Sequence, residues 1–351
     1  MAMNTFPIIE GAYFQDLMAQ PDVLGAVTAR LAATRLDPAP AAGLLSGKIR
    51  QVVLTGMGSS LHAAWPLHRA LAHAGLNSHW VEAAELLHGF NALYREDTLL
   101  IAISQSGESA EVANLMQRAG EFRHVIGITN NQASSLGCAA ATCLSMEAGP
   151  ESTVSCKTYL NTLAVLRWLE SALLRGDPQT VLEELRLAEQ AARDYLADWR
   201  SHTAELMPLL EGISSVFVTG RGNSLATTGT GGLILKESTR RPAEGMSAAA
   251  FRHGPLEMAG DEVLVLILEG DATVAPLHHR LADDIIRSGG KAVLIGPRTT
   301  VPGVFHLPDV PEGVQPIMEI LPVQMLSLAL AAREGFEAGK FVRASKITNI
   351  S

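Results

Sequence analysis

The stretch 102-AISQSGESAEV-112 places four small donors, Ser104, Gln105, Ser106 and Ser109, around one glycine and contains no lysine or arginine. A loop that closes a parallel strand and opens a helix directs free backbone N–H groups at one point, where the helix dipole adds partial positive charge. Such a loop can hold the phosphate of a small neutral molecule. The alternative is a polar turn in which Ser106 or Ser109 only caps the following helix.

A second loop, 55-TGMGSS-60, supplies Ser59 and Ser60 at the end of another strand-like run. With two hydroxyl-bearing loops at strand ends, anion binding becomes the favoured interpretation. The sequence lacks the G-x-x-x-x-G-K-[ST] pattern of triphosphate sites, and its G-x-G turns lack the third glycine of the dinucleotide fingerprint. We therefore expect a phosphorylated small molecule as the ligand, with no cofactor and no metal ion.

The composition excludes several classes of protein. The chain has 351 residues, of which 47% are hydrophobic, and a net charge of −9, so it offers no basic surface for nucleic acid. No apolar run reaches the ~18 residues that span a bilayer, and the N-terminal sequence has no secretory pattern. We expect a soluble cytoplasmic protein. Its three cysteines, Cys138, Cys143 and Cys156, fit neither a disulfide framework nor a zinc site and are expected to be buried, reduced thiols.

An internal repeat organises the chain. The segment 51-QVVLTGMGSSLHAA-64 resembles 215-SVFVTGRGNSLATT-228, and two further strand-like runs recur at a similar offset. Strands that alternate with helical patterns predict an α/β fold with parallel sheets covered on both faces. The second copy replaces the hydroxyl-rich loop by residues such as Leu268, Glu269 and Gly270, so we expect one anion site per chain.

The pattern divides the chain into five parts. We predict a helical N-terminal arm (1–44), a first lobe (45–178), a linker helix (179–204), a second lobe (205–335) and a C-terminal tail (336–351).

These segments together resemble the sugar isomerase (SIS) domain family in its double-domain branch, particularly the isomerase half of glucosamine-6-phosphate synthase. The resemblance rests on the two loops above and on AGPESTVSCKTYL at 148–160, LKE at 235–237, FRHGP at 251–255 and RASKIT at 343–348. It implies two flavodoxin-like, three-layer lobes with five-stranded parallel sheets, and a homodimer whose active site borrows residues across the subunit boundary.

The resemblance also implies roles for single residues. Ser60, Ser104, Gln105, Ser106 and Ser109 would hold a sugar phosphate, and Ser155 would contact the sugar.

Three further residues are candidates for catalysis. Moving a proton between C1 and C2 of an open-chain sugar needs one partly desolvated carboxylate that reaches both carbons, which the resemblance assigns to Glu237. His253 precedes Gly-Pro and is expected to open the sugar ring from a loop that reaches the partner subunit. Lys346, in the tail, is expected to contact or condense with the substrate carbonyl. Alone, each residue could equally be a surface or structural residue.

The reaction expected from the sequence is deamination. The sequence contains no glutaminase-like segment that would deliver ammonia, and water then favours release of ammonia from an amino-sugar phosphate such as glucosamine 6-phosphate. The alternatives are a phosphosugar aldose–ketose isomerase, a fructosamine-phosphate deglycase, and a non-catalytic sugar-phosphate sensor.

Overall fold

The apolar runs of the sequence form parallel strands in the computed structural model, which describes residues 6–299 and 303–343. Two units can be distinguished by their internal contacts. We call them the five-stranded unit, which contains residues 22–151 and 157–186, and the four-stranded unit, which contains residues 6–21, 152–156, 187–299 and 303–343.

The five-stranded unit contains one parallel sheet with strand order β2-β1-β3-β4-β5. Its strands are β1 Gln51–Gly56, β2 Ser78–Glu82, β3 Thr98–Ile103, β4 His124–Thr129 and β5 Thr142–Ser145. Every residue of β1 and β3 is buried, as expected for central strands covered by helices on both faces. This order places a topological switch point between β1 and β3, where ligands bind in flavodoxin-like folds.

The four-stranded unit contains a second parallel sheet with order β7-β6-β8-β9. Its strands are β6 Ser215–Gly220, β7 Ala243–Ser247, β8 Val263–Leu268 and β9 Lys291–Ile295. The predicted α/β fold is confirmed, but the expectation of five strands in the second lobe is wrong for the described residues. Beyond β9 a single parallel bridge joins Gly296 to His306. Pro308 and Pro311 follow, and a proline cannot donate to a strand ladder.

Helices connect the strands. They are α1 Phe6–Ile9, α2 Ala12–Met18, α3 Gln20–Ala33, α4 Ala39–Leu45, α5 Gly58–Ala63, α6 Trp65–His73, α7 Ala83–Gly89, α8 Ala110–Met116, α9 Ser135–Ala139, α10 Lys157–Leu173, α11 Pro178–Ala197, α12 Trp199–Leu209, α13 Leu225–Thr239, α14 Ala248–Arg252, α15 Ala275–Arg287 and α16 Gln315–Arg333. Helix α10 packs on α5 and α6 in the five-stranded unit, and α16 packs on α12 and α13 in the four-stranded unit.

Two glycines allow α13 to lie directly on β7. A Cβ atom at Gly245 would be 2.0 Å from the carbonyl oxygen of Thr228, and one at Gly232 would be 2.4 Å from the backbone nitrogen of Gly245. Backbone therefore packs on backbone here. The Lys236–Glu244 ion pair, at 3.6 Å, shows that the last turn of α13 lies beside the start of β7.

The core helix of the four-stranded unit is unusually apolar. The expectation that no apolar run is long enough to span a bilayer is wrong for residues 312–333, which include α16 and are long and apolar enough to cross a membrane. However, 94% of the most apolar part of this segment is buried inside the described structure. That burial is what a core helix of a soluble protein shows. The cysteines depart in part from expectation, since Cys138 is exposed, Cys143 is half-buried and only Cys156 is buried.

One acidic side chain lies within this apolar helix. Glu319 is fully buried, and the Ser224 hydroxyl donates a 2.7 Å hydrogen bond to one of its carboxylate oxygens. The pKa of Glu319 is raised to about 7, mainly because the carboxyl is buried; the nearby Glu269 carboxylate contributes to the rise, and the Ser224 hydrogen bond opposes it. An acid within a long apolar run is visible in the sequence, but its contact with Ser224, 95 residues away, is not.

Glu319 should make the stability of the protein depend on pH. Its carboxyl ionises near 4.5 when unfolded and near 7 when folded, so the folded state holds the extra proton between these values. The contribution to the free energy of unfolding is present below pH 4.5 and is lost as the pH rises through 7, by about 3 kcal/mol. Urea denaturation at several pH values should show this loss in the wild type and not in Glu319→Gln.

The exposed Glu262 provides the control, because Glu262→Gln should keep the wild-type pH profile. Parallel profiles for the wild type and Glu319→Gln would contradict the assignment.

Candidate active site

The loop after β3 is held by its own serine hydroxyls. The Ser104 hydroxyl accepts a 3.1 Å hydrogen bond from the Gly107 N–H, and the Ser106 hydroxyl accepts one of 3.1 Å from the Glu108 N–H. A hydroxyl that accepts still has its own hydrogen to donate. Ser104 and Ser106 are therefore positioned by the backbone and can each donate to a ligand oxygen.

Neighbouring segments fix the same loop from outside. Gly107 has a φ of +68°, and a Cβ atom there would be 1.9 Å from the Ser134 hydroxyl. The Glu108 carboxylate accepts hydrogen bonds from the backbone N–H and hydroxyl of Ser135, at 2.6 and 2.8 Å. These contacts join the β3 loop to the start of α9, so the loop has a defined conformation without a ligand.

Ser109 behaves differently from a simple helix cap. It occupies the position before α8 with extended backbone, but its side chain makes no capping hydrogen bond. Its Oγ atom is buried and has no hydrogen-bond partner among the described residues. A buried polar group without a partner is unfavourable by roughly 1–3 kcal/mol, and a ligand oxygen would remove that penalty. This observation weakens the interpretation of Ser109 as a cap.

The loop after β1 lies at the same edge of the sheet. A Cβ atom at Gly56 would be 2.8 Å from the Ile103 carbonyl oxygen, so the ends of β1 and β3 are in close contact. Ser59 and Ser60 follow in the first turn of α5, where Ser59 is buried and Ser60 is half-buried. The fold thus brings both predicted hydroxyl loops to the switch point of the five-stranded sheet.

Gln105 lies beside an open cavity of the five-stranded unit. The cavity has a volume of about 680 Å³, and its lining includes Asn130, Ser145 and Glu147. The Gln105 backbone carbonyl accepts hydrogen bonds from the Asn130 N–H (3.1 Å) and the Thr129 hydroxyl (3.3 Å). The Gln105 backbone is therefore fixed, and this half-buried residue lines a space with room for a small ligand.

The remaining sugar-contact candidate lies in the four-stranded unit. Ser155 is half-buried in a bend at residues 153–156, directly before α10 in the chain. The segment is attached to its own unit, since the Ser152 N–H donates a 2.7 Å hydrogen bond to Asp16.

Glu237 and His253 belong to segments that pack on opposite faces of the second sheet. Glu237 is half-buried in the last turn of α13, which packs on the face that carries Val218. His253 is exposed in the turn after α14, and Phe251 of α14 packs on Phe217, on the other face, with ring centroids 5.2 Å apart. The sheet therefore lies between the two segments within one chain. Lys346 lies outside the described residues.

The switch point of the second sheet is filled by protein groups. Glu269 directly follows β8 and is fully buried. Its carboxylate accepts a 2.8 Å hydrogen bond from the Arg298 N–H and lies 3.0 Å from Nε2 of His279. A buried carboxylate at this position would repel a phosphate. Among residues 6–299 and 303–343, no group of three or more histidine, cysteine or acidic side chains is arranged to hold a metal ion.

Comparisons with known proteins agree with this geometry. Residues 47–171 match the model of the SIS domain. Over 311 residues the chain is 32% identical to glutamine–fructose-6-phosphate aminotransferase [isomerizing] from Pyrococcus horikoshii, an alignment that covers 85% of this chain and 51% of that protein. The chain spans about half the length of the curated relatives it matches.

Solved structures share the fold. The C-terminal domain of glucosamine-fructose-6-phosphate aminotransferase from Francisella tularensis superposes with a TM-score of 0.79 at 20% identity, covering 94% of this chain and 98% of that one. Tagatose-6-phosphate ketose/aldose isomerase from Escherichia coli gives 0.77 at 18% identity, covering 97% and 98%. Glucosamine-6-phosphate deaminase from Thermotoga maritima gives 0.75 at 16% identity, covering 97% and 100%.

The double-domain arrangement stays a prediction, because the family model matches the first region alone. Residues 47–171 are a SIS domain, and the chain that contains it is homologous to part of the isomerizing glutamine–fructose-6-phosphate aminotransferases.

Proposed function

We propose that this protein is a soluble cytoplasmic enzyme that deaminates an amino-sugar phosphate with isomerisation, converting glucosamine 6-phosphate and water into fructose 6-phosphate and ammonia. The observation that supports it most is the preformed hydroxyl loop at the switch point of the SIS domain, in a chain homologous to an isomerizing aminotransferase. The unpaired, buried Ser109 hydroxyl supports ligand binding at this loop.

The phosphate is held by neutral donors. Hydroxyls of Ser60, Ser104, Ser106 and Ser109 and the amide of Gln105 donate to its oxygens, with Ser59 beside them. Hydrogen bonds to a charged acceptor are roughly twice as strong as neutral ones, so several hydroxyls can hold a dianion without a lysine. A site without fixed cations also releases its product readily. Ser155 contacts the sugar.

The chemistry needs only proton transfers and water. His253 protonates the ring oxygen as the ring opens and accepts the proton of the C1 hydroxyl. Glu237 removes the proton from C2, giving an enolamine, and returns it to C1, which leaves an imine at C2. Water then adds to the imine carbon and ammonia departs. Lys346 contacts the carbonyl of the open-chain sugar.

Ammonia release tests the proposal directly. Purified protein should release ammonia and fructose 6-phosphate from glucosamine 6-phosphate, and Glu237→Gln should lower the rate by about 100-fold or more, since general acid–base catalysis contributes 10²–10⁴-fold. A coupled assay for both products measures this, with Glu244→Gln as the matched control on the neighbouring strand.

Conversion of sugar phosphates without ammonia would replace the deaminase with an aldose–ketose isomerase, and ammonia release from a fructosamine phosphate alone would indicate a deglycase. Saturable binding without any turnover would identify a sensor.

Substitution of Ser109 can distinguish a ligand-binding role of its hydroxyl from a structural role. Because its hydroxyl has no partner among the described residues, Ser109→Ala should leave thermal stability unchanged or slightly raised. It should weaken glucosamine 6-phosphate binding by about tenfold or more, the value of one hydrogen bond to a charged group. Calorimetric titration and thermal denaturation measure the two effects.

Ser104→Ala is the comparison, because it also removes the acceptor of the Gly107 N–H and should lower both affinity and stability. If Ser109→Ala lowers stability and leaves affinity intact, Ser109 is a cap and not a ligand group.

The packing of the Glu237 and His253 segments on opposite faces of the second sheet supports a homodimer in which each active site takes His253 from the partner subunit. Glu237→Gln and His253→Gln should each be inactive alone. When the two variants are refolded together, half of the dimers are mixed and each mixed dimer has one intact site, so about a quarter of wild-type activity should return. Mixtures that stay inactive would contradict a shared site.

A further inference from the structure

A pocket in the four-stranded unit gathers positive charge on an acidic protein. Its volume is about 390 Å³, and its lining consists of Arg221, Arg252, Leu277, Arg280, Asp284 and Arg287. The whole chain carries a net charge of −9, so four arginines around one space stand out against the rest of the surface. None of these arginines belongs to the proposed phosphate loop.

Three separate elements supply the arginines. Arg221 lies in the loop after β6, Arg252 is the last residue of α14, and Arg280 and Arg287 lie on α15. The two arginines of α15 are seven residues apart, which corresponds to two helical turns and about 10 Å. The side chains therefore converge from a loop and two helices, which is the arrangement of a pocket and not of a single solvated helix face.

The lining of the pocket includes one carboxylate. Asp284 forms ion pairs with Arg252 at 2.8 Å and with Arg287 at 2.5 Å. The Arg252 hydrogen bond lowers the pKa of Asp284, so it remains ionised at neutral pH. Four guanidinium groups and one carboxylate leave three net positive charges.

Arg221 and Arg280 are the arginines available to a ligand. The Nε atom of Arg221 is buried and has no hydrogen-bond partner among the described residues. Arg280 forms no ion pair within residues 6–299 and 303–343. Guanidinium groups present planar, paired donors that match phosphate oxygens. An anion between the arginines would also reduce the repulsion between their positive charges.

We propose that this pocket is a second anion site, which binds a small molecule carrying a phosphate or diphosphate group. Its net charge suits a diphosphate, and its volume lies in the lower part of the range of small-molecule sites. Leu277, which is 39% exposed, gives one apolar wall. The site differs chemically from the proposed phosphate loop, since it uses fixed cations in place of hydroxyls.

The pocket also adjoins a proposed catalytic residue in the chain. Arg252 immediately precedes His253, whose backbone N–H donates to the Ala250 carbonyl at 3.0 Å. An anion bound in the pocket would therefore lie close to the turn that carries His253. This step rests on the proposed function, whereas anion binding itself does not.

Pyrophosphate is the probe, titrated calorimetrically into protein that carries Ser104→Ala and Ser109→Ala, so that the proposed phosphate loop is silenced. Arg280→Ala in this background should weaken pyrophosphate binding by about tenfold or more. Arg280 is exposed, so thermal denaturation should show an intact fold. The control is Arg186→Ala, which removes the same charge from an exposed site of the five-stranded unit and should leave binding unchanged.

Equal affinities of Arg280→Ala and Arg186→Ala for pyrophosphate would overturn the proposal of a second site. It would also be overturned if the protein with Ser104→Ala and Ser109→Ala bound no pyrophosphate at all. Arg287→Ala, also exposed, repeats the test at a second position. Neither measurement needs turnover, so failure of the deaminase proposal leaves this result interpretable.

Discussion

The close contact between the ends of β1 and β3 is the constraint on which the candidate site depends. There is no room for a side chain between Gly56 and the Ile103 carbonyl oxygen, and both strands are buried along their whole length. Two hydroxyl-bearing loops consequently leave the sheet at the same edge. Their donors converge because the sheet fixes where each loop begins, and the serines then fix the loop through the backbone N–H groups of Gly107 and Glu108.

The two switch points use this geometry in opposite ways. In the five-stranded unit the strand end is followed by neutral donors, and one hydroxyl lacks a partner within the described structure. In the four-stranded unit the corresponding position is Glu269, whose carboxylate is buried and bound to protein groups. Burial keeps Glu319 protonated up to about pH 7 beside it. The switch point of the second sheet is therefore part of the core. In this unit the arginines lie elsewhere, on α15 and in the loop after β6.

The features that depend on local sequence could be predicted. Apolar runs and glycine turns predict the alternation of strands and helices, the buried central strands and the loops at the strand ends. The four-stranded second sheet of the described residues was not predicted, because pairing next to β9 depends on contacts far along the chain. The buried acid Glu319 and the arginine pocket were also missed, since each assembles from elements more than twenty residues apart.

The positions of Glu237 and His253 show why a motif can be specific and still misleading about distance. Both residues flank β7 in the sequence, which invites the idea of neighbouring catalytic groups. The strand lies between them, however, and the tight packing of Gly232 on Gly245 fixes α13 against it. Phe251 of α14 packs against Phe217 on the opposite face, so the sheet separates the two segments within one chain. Arg252, which lines the arginine pocket, lies directly before His253 in the chain.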